Sequence, residues 1–265
     1  MPHDSEQARN ATLNTPVIDF HTHVGRWGLN HMDATPERFL RLMDAAGIDK
    51  ACVNCIFYGE VRRSNDTVAR YVQANSDRFV PVAYVTPRYL KEAISELERS
   101  FDEIGAKFLK LYPDYLGAPI DDPSYMPIYE WGDDRGIVIM SHSSHVSEGD
   151  TLTMPPLFVP LAKRFPNITW VLAHSGNNMQ GQQEAVAAAQ ECPNIYLETC
   201  SSYSEHGAME FLVEGAGEDR VLYGSDMPLL EPRHQIAKIT TADLSDEAKR
   251  KILGLNAIRI LGLDQ

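Results

Sequence analysis

The sequence predicts an α/β protein that folds as a single (β/α)8 barrel of the TIM type. Its 265 residues contain eight short apolar segments, and amphipathic segments with helical periodicity separate them. The apolar segments are continuous rather than alternating, which is typical of parallel strands that are buried on both faces. Barrels of this kind commonly occupy such a chain length as one domain with one core.

The elements follow one another in the order that a barrel requires. Strands are expected at residues 17–20, 51–57, 79–85, 107–112, 137–140, 168–173, 195–197 and 221–223. Helices are expected at residues 36–46, 65–75, 90–104, 124–134, 156–165, 180–191 and 204–214, and two more follow the last strand at 236–240 and 245–261. No linker or low-complexity segment divides the chain, so we assign residues 1–15 to a short N-terminal tail and residues 16–265 to one catalytic barrel.

The composition is that of a globular protein, and its charge is strongly acidic. Apolar residues make up 43% and charged residues 23%, and 37 acidic against 24 basic residues give a formal charge of −13. This charge repels phosphate backbones and anionic lipid, so neither nucleic acid nor a membrane is an expected partner. A small molecule is the expected partner, and the sequence leaves a homo-oligomer open.

Two further features bear on cellular location. The chain has no run of about 18 apolar residues, and its N-terminus lacks an apolar leader before a cleavage site. Its 4 cysteines are too few and too scattered for a disulfide framework, which favours a reducing compartment. We therefore expect a cytoplasmic protein.

Polar side chains follow four of the predicted strands at their carboxyl ends. His21 and His23 follow the first strand, His142 the fifth, His174 the sixth and Asp226 the eighth. The active site of a β/α barrel forms at this end of the strands, so we expect these side chains to share one rim. A single histidine in such a place is more often an ordinary hydrogen-bonded residue, but a set at four strand ends is hard to obtain by chance.

The spacing of His21 and His23 predicts a metal site. On an extended chain, residues two apart point to the same side, about 6.6 Å from each other, so both imidazoles can converge on one ion. Imidazoles together with one carboxylate suit Zn²⁺ and related divalent ions. An open coordination position would then hold a water whose pKa is lowered towards neutrality, which predicts a nucleophile at neutral pH.

Several segments resemble the amidohydrolase superfamily. They are residues 17–23 (VIDFHTH), 110–113 (KLYP), 173–176 (AHSG), 223–228 (YGSDMP) and 256–257 (NA). More narrowly, they are similar to the amidohydrolase-related branch, which contains hydrolases, lactonases and the aminocarboxymuconate-semialdehyde decarboxylase group. The resemblance runs from residue 17 to about residue 262 and is specific for the superfamily rather than for one reaction.

This resemblance implies roles for the rim residues. His21, His23, His142 and Asp226 match the positions that bind the metal in the family. His174 matches the histidine that acts as polariser or acid/base beside the metal, and Asp226 matches the residue that also accepts a proton. One divalent ion is implied, with zinc expected first and manganese or another divalent metal as alternatives.

Lys110 and Tyr112 leave alternatives open. Some binuclear relatives carry a carboxylated lysine at the end of the fourth strand, where Lys110 stands. The Lys-Leu-x-Pro context is nevertheless similar to the mononuclear branch, so we expect a lysine hydrogen-bonded inside the upper barrel. Tyr112 replaces the histidine that is usual in that branch, which makes both residues candidates for substrate contact.

The loops after the strands are expected to contact the substrate, because they are the variable part of such barrels. Besides Lys110 and Tyr112, the candidates are Arg26, Trp27, Tyr58, Arg62 and His145. Arg26 and Arg62 can hold a carboxylate bidentately, although each can equally be a solvated surface residue. Glu198, at the end of the seventh strand, either orients a neighbour of the metal or is an exposed charge.

The leading functional hypothesis is a mononuclear metal-dependent hydrolase of a small ester, lactone or amide. Its alternative is a non-oxidative decarboxylase of an aromatic or unsaturated carboxylic acid, which uses the same ligands with His174 as proton donor. A catalytically inactive barrel that binds a small molecule is the third hypothesis. We favour hydrolysis because the sequence indicates no cluster of arginines at the mouth.

Overall fold

Eight parallel strands lie side by side in the order of the chain, in a computed structural model that describes residues 13–27, 32–145 and 152–264. The strands are β1 (Ile18–His23), β2 (Lys50–Asn54), β3 (Phe79–Tyr84), β4 (Phe108–Leu111), β5 (Val138–Ser144), β6 (Thr169–Gly176), β7 (Ile195–Glu198) and β8 (Val221–Leu222). Each of them overlaps the segment that the sequence predicts.

Backbone contacts between β1 and the end of the sheet close it into a barrel. The amide of Phe20 donates to the carbonyl of Tyr223 over 3.0 Å, and Thr22 pairs with Met227 in an isolated parallel bridge. The register of β1 against β2 shifts between Asp19 and Thr22, and such bulges redirect side chains beside active sites. The predicted (β/α)8 barrel is confirmed.

Helices cover the outside of the barrel. They are α1 (Pro36–Ala46), α2 (Val61–Ala74), α3 (Leu90–Arg99), α4 (Met126–Arg135), α5 (Phe158–Arg164), α6 (Met179–Glu191), α7 (Ala208–Ala216), α8 (Pro232–Thr240), α9 (Asp246–Arg250) and α10 (Asn256–Leu261). The π-helical turns Ser100–Ile104 and Lys251–Leu255 continue α3 and α9. A two-stranded antiparallel ribbon, Gly25–Trp27 with Met32–Ala34, follows β1.

Local sequence signals explain where helices begin and end. The side chain of Thr35 caps α1 by accepting a hydrogen bond from the amide of Arg38, and Gly47 ends the helix with a φ of 73°. The side chain of Asn178 caps α6 by accepting from the amide of Gly181. Because α6 follows β6 directly, this cap fixes how the chain leaves the rim of the barrel.

Some boundaries differ from the sequence expectation. Helix α2 begins at Val61 rather than at residue 65, and α7 begins at Ala208 rather than at residue 204. Gly207 precedes α7 with a φ of 84°, and this left-handed conformation stops the helix from extending backwards. The ribbon was not predicted, because each of its strands is only 3 residues long.

The core has an inner and an outer layer. Inside the barrel, Phe20 of β1 and Phe108 of β4 stack with ring centroids 4.5 Å apart, and Ile258 of α10 packs against this inner cluster. A larger outer cluster, which includes Phe39 and Trp170, joins the strands to the helices. Strands with apolar neighbours on both faces account for the continuous apolar segments in the sequence.

Most of the predicted tail, residues 1–12, lies outside the residues that the structure describes. Within the described ranges, no helix is long and apolar enough to cross a membrane.

Candidate metal centre

The carboxyl ends of β1 and β8 bring three predicted ligands together. The Nε2 atoms of His21 and His23 lie 3.2 Å apart. The Oδ1 atom of Asp226 lies 2.9 Å from Nε2 of His23 and 3.7 Å from Nε2 of His21. All three side chains are buried. The amide of Asp226 donates to the carbonyl of His21 over 2.8 Å, which fixes the two strand ends against each other.

The opposite ring nitrogens of both histidines are held by neighbouring strands. Nδ1 of His21 lies 2.9 Å from Oε2 of Glu198, and Nδ1 of His23 lies 2.9 Å from Oδ1 of Asn54. The amide nitrogen of Asn54 donates to the carbonyl of Thr22, so its oxygen faces the imidazole. Both Nδ1 atoms are therefore the donors, and both Nε2 atoms present lone pairs to each other.

This arrangement fits a divalent cation. Two imidazole lone pairs and one carboxylate oxygen converge in a buried space, and a cation between them would compensate these three acceptors. Burial lowers the pKa of His21, which keeps its imidazole in the neutral form that binds metals. Burial opposes ionisation of Asp226, but the nearby His23, His21 and His174 hold its pKa below the usual value.

Lys110 lies beneath this group. It is fully buried, and its Nζ atom lies 3.0 Å from Nε2 of His21. Burial lowers the pKa of Lys110 to about 8. The expectation of a lysine hydrogen-bonded inside the upper barrel agrees with these contacts, whereas carboxylation of the side chain stays untested.

His174 lies beside the three converging ligands. Its ring centroid is 5.1 Å from that of His21, and its Nδ1 donates to the carbonyl of Cys200 over 2.9 Å. Nε2 of His174 therefore carries the lone pair of the neutral ring. Burial lowers the pKa of His174. The side chain therefore lies next to the converging ligands, and its acid/base role stays a prediction.

His142 stands on the other side of His174. Their ring centroids are 4.8 Å apart, and the ring of Tyr112 lies 5.0 Å from that of His142. The structure does not place His142 among the side chains whose ligand atoms lie within 4.8 Å of one another. Its buried Nδ1 has no hydrogen-bond partner among the described residues, which leaves that nitrogen available. Its role as a ligand stays a prediction.

The backbone at the rim is strained. The residues His174, Ser175 and Asp226 have φ values of 64°, 46° and 59°. These values lie in the left-handed region, which residues other than glycine rarely adopt. The hydroxyl of Ser175 donates to the carbonyl of Glu198 over 2.8 Å, which helps to hold this conformation. Strain of this kind concentrates at functional sites.

A cleft of about 380 Å³ opens beside the converging ligands. Its walls are Arg26, Ile56, Phe57, Tyr58, Gly59, Tyr84, Thr86, Arg88 and Tyr115. The ring of Phe57 lies 5.7 Å from that of His23, so one wall of the cleft touches the ligand group. Among the described residues no carboxylate lines this cleft, and two of the lining side chains are guanidinium groups.

The structure separates the candidate substrate contacts. Arg26 and Tyr58 line the cleft, whereas Arg62 lines a neighbouring groove whose other walls include glutamates. His145 lies 3.0 Å from a carboxylate oxygen of Glu184, which occupies one of its ring nitrogens. The backbone of Trp27 belongs to the ribbon, and its side chain lies outside the described residues.

The second arginine of the cleft was not predicted. Arg88 lines the same cleft as Arg26, whereas the sequence analysis offered Arg26 and Arg62 and indicated no arginine cluster. Arg88 was missed because it follows β3 within the short 3₁₀ turn Pro87–Tyr89, which reads as an ordinary surface turn. Only the folded chain brings this turn next to the ribbon that carries Arg26.

Several residues of the site were missed or left undecided by sequence reasoning. Glu198 is fully buried and holds His21, which settles the choice between a positioning residue and an exposed charge. Asn54 ends β2, so the strand-end rule could have found it. Cys200 lies two residues beyond Glu198, and nothing in its spacing indicates its contacts with the site.

Comparison with known proteins places these features in a family. A model of the amidohydrolase family matches residues 18–263. A 2-amino-3-carboxymuconate-6-semialdehyde decarboxylase from Dictyostelium discoideum is 26% identical over an alignment of 239 positions, which covers 76% of this chain and 66% of that protein, just under two thirds of its length.

Two solved structures show the same fold. An uncharacterized TIM-barrel protein from Bordetella bronchiseptica is 24% identical with a TM-score of 0.77, covering 94% of this chain and 99% of its own. A 5-carboxyvanillate decarboxylase from Novosphingobium aromaticivorans, with bound manganese, is 16% identical with a TM-score of 0.77, covering 95% of this chain and 98% of its own.

Replacement of Glu198 by glutamine tests how the site orients its ligands. The change removes the negative charge that accepts the Nδ1 proton of His21, so we expect metal affinity to fall about 10- to 100-fold. Competition with a chromophoric chelator measures this affinity. Glu191→Gln is the matched control, because Glu191 is exposed and pairs with Lys163 on the outside of the barrel. Equal affinities in the two variants would show that Glu198 does not orient the ligand.

Proposed function

The chain belongs to the amidohydrolase family, and we propose that this metal-dependent enzyme is a non-oxidative decarboxylase of a small aromatic or unsaturated carboxylic acid. The cleft carries the proposal, because Arg26 and Arg88 supply positive charge among the rings of Phe57, Tyr58 and Tyr115. Guanidinium groups bind carboxylates, and aromatic walls accept a planar conjugated substrate. A decarboxylase among the relatives supports the same choice.

Hydrolysis, the leading sequence hypothesis, loses its main support. That preference depended on the absence of an evident arginine cluster at the mouth, and two arginines line the cleft. The ester, lactone or amide group that a hydrolase cleaves is uncharged and does not itself require these arginines, whereas every substrate of a decarboxylase carries a carboxylate. The charge of the cleft therefore favours an acid as the substrate.

The proposal assigns one divalent cation to His21, His23 and Asp226, with His142 as the further ligand that the sequence predicts. When bound, such a cation attracts substrate oxygens and withdraws electron density from the reacting carbon. Two imidazoles and a carboxylate suit zinc and also manganese, the metal bound in the related 5-carboxyvanillate decarboxylase. Manganese, already an alternative in the sequence analysis, is therefore proposed beside zinc.

The protein side of the reaction is a single proton delivery. The bond between the carboxylate and the substrate carbon breaks, carbon dioxide leaves, and the electron pair stays on the carbon. Nε2 of His174, which is neutral at rest, takes up a proton from solvent or from the incoming acid, delivers it to that carbon and returns to the neutral ring. Nδ1 keeps its hydrogen bond to the carbonyl of Cys200 throughout, so the ring stays in place.

The arginines hold the acid while this happens. Both guanidinium groups belong to the cleft, and Arg26 comes from the ribbon after β1 whereas Arg88 comes from the turn after β3. Tyr58 joins the ribbon to α2, because its hydroxyl accepts from the amide of Arg26 over 3.4 Å and its ring lies 4.2 Å from the guanidinium carbon of Arg63. Under this proposal Arg26 and Arg88 hold the carboxylate from two different segments of the rim.

Isotope labelling of the products distinguishes decarboxylation from hydrolysis. We expect carbon dioxide release from an aromatic or unsaturated acid, with solvent deuterium at the vacated carbon and no ¹⁸O from labelled water in the organic product. Mass spectrometry of reactions with a panel of acids, esters, lactones and amides measures both labels. The chelator-treated protein is the control and should be inactive. Incorporation of ¹⁸O without carbon dioxide would establish a hydrolase instead.

Replacement of Arg88 by glutamine tests the cleft. A charge-assisted hydrogen bond to a carboxylate is lost, so we expect KM for the acid to rise about tenfold or more. Steady-state kinetics on carbon dioxide release measure the change. Arg41→Gln is the control, because Arg41 is an exposed residue of α1 and its replacement alters the net charge equally. A KM that rises equally in both variants would indicate a general charge effect rather than a binding site.

Replacement of His174 by glutamine tests proton delivery. We expect kcat to fall by about two orders of magnitude or more, the usual effect of removing an acid/base group. Metal content should stay near that of the parent, because His21, His23 and Asp226 converge without His174. Kinetics and elemental analysis give the two values. Activity that persists within about threefold would leave His174 only a structural role.

A further inference from the structure

Cys200 contacts the site through every polar group that it has. Its amide donates to Oε1 of Glu198 over 2.5 Å, and its carbonyl accepts from Nδ1 of His174 over 2.9 Å. Its thiol donates to Oε2 of Glu198 over 3.0 Å. The backbone contacts do not depend on which side chain stands at this position, but the thiol contact does.

The sulfur also touches both functional imidazoles. Sγ of Cys200 lies 3.1 Å from Nδ1 of His21 and 3.1 Å from Nδ1 of His174. The side chain is fully buried, so no water can replace the sulfur in these contacts without a change in packing. The sulfur atom therefore lies between the Nδ1 edges of His21 and His174. The opposite edge of His21 faces the cation site, and the opposite edge of His174 delivers the proton.

The sulfur lies on the wrong edge of His21 to be a ligand in the proposed centre. The converging atoms are the Nε2 atoms of His21 and His23, whereas the sulfur lies at Nδ1. A separate site at the Nδ1 edges would need lone pairs there. Those nitrogens instead carry the protons donated to Glu198 and to the carbonyl of Cys200.

We propose that the thiol of Cys200 is a positioning group that sets the separation and tilt of His21 and His174. The ring centroids lie 5.1 Å apart at an angle of 44°, and the sulfur fills the gap between their Nδ1 edges. Glu198 fixes the sulfur in turn. The part of the proposal that concerns proton delivery rests on the proposed decarboxylase function, whereas the part that concerns ring positions does not.

Three variants test the proposal. Cys200→Ala removes the sulfur, and we expect kcat to fall about 10- to 100-fold with KM within about twofold, because small misplacements of a reacting group are costly. Metal content should not change. Cys200→Ser keeps a donor to Glu198 and should recover much of the lost kcat. Cys192→Ala is the control, since Cys192 is also buried but its sulfur lies 3.8 Å from the carbonyl of Val159 in the outer helix α5.

A spectroscopic measurement separates positioning from loss of stability. In zinc-loaded protein labelled with ¹⁵N-histidine, Cys200→Ala should shift the Nδ1 resonances of His21 and His174. The resonance of His145, which lies against Glu184, should stay in place. Cys192→Ala should shift none of the three.

The outcomes are distinct. Unmoved resonances of His21 and His174 in Cys200→Ala, or a kcat equal to that of Cys192→Ala, would overturn the positioning role. If no acid releases carbon dioxide, the decarboxylase proposal fails, but the resonances still decide whether the sulfur positions the rings. If Cys200→Ala does not fold, Cys200→Ser decides instead. Its hydroxyl is smaller than the thiol, so we expect the resonances of His21 and His174 to shift and kcat to fall, both by less than in Cys200→Ala. Resonances and kcat equal to those of Cys192→Ala would overturn the positioning role.

Discussion

The arrangement of this site depends on the hydrogen bonds that Glu198 accepts. The charge of a buried carboxylate is costly unless hydrogen-bond donors compensate for the lost water. Its oxygens accept from Nδ1 of His21, from the amide of His174 and from the amide and thiol of Cys200. Three strand ends are therefore joined through one side chain. Gly224 makes room for it, because a Cβ there would lie 2.2 Å from Oε1 of Glu198.

This contact explains why the two edges of the imidazoles have different uses. The Nδ1 edges face the protein and are saturated with acceptors, so the Nε2 edges are left for the cation and the substrate. The neutral forms that burial imposes on His21 and His174 preserve this division. The positive charge that would bind the substrate carboxylate is supplied by the arginines of the adjoining cleft. Cation binding, proton delivery and recognition of the acid thus use separate parts of one rim.

Much of the fold and part of the site could be predicted from sequence, because both leave local signals. Continuous apolar segments reveal buried parallel strands, and the end of each strand fixes where His21, His23, His174 and Asp226 lie. Partners across the barrel leave no such signal: 177 residues separate His21 from Glu198. The cleft also escaped prediction, because Arg26 and Arg88 meet only after the ribbon and the turn after β3 have folded.

The left-handed backbone at His174, Ser175 and Asp226 has a consequence for how this protein can evolve. Each such residue costs about 1–3 kcal/mol of folding free energy, a substantial part of the net stability of a typical domain. Selection for heat resistance alone would therefore favour glycine at these positions, whereas selection for catalytic turnover would retain the present side chains. Thermally robust descendants of this chain that have lost their chemistry should carry their first changes at the rim rather than in the core.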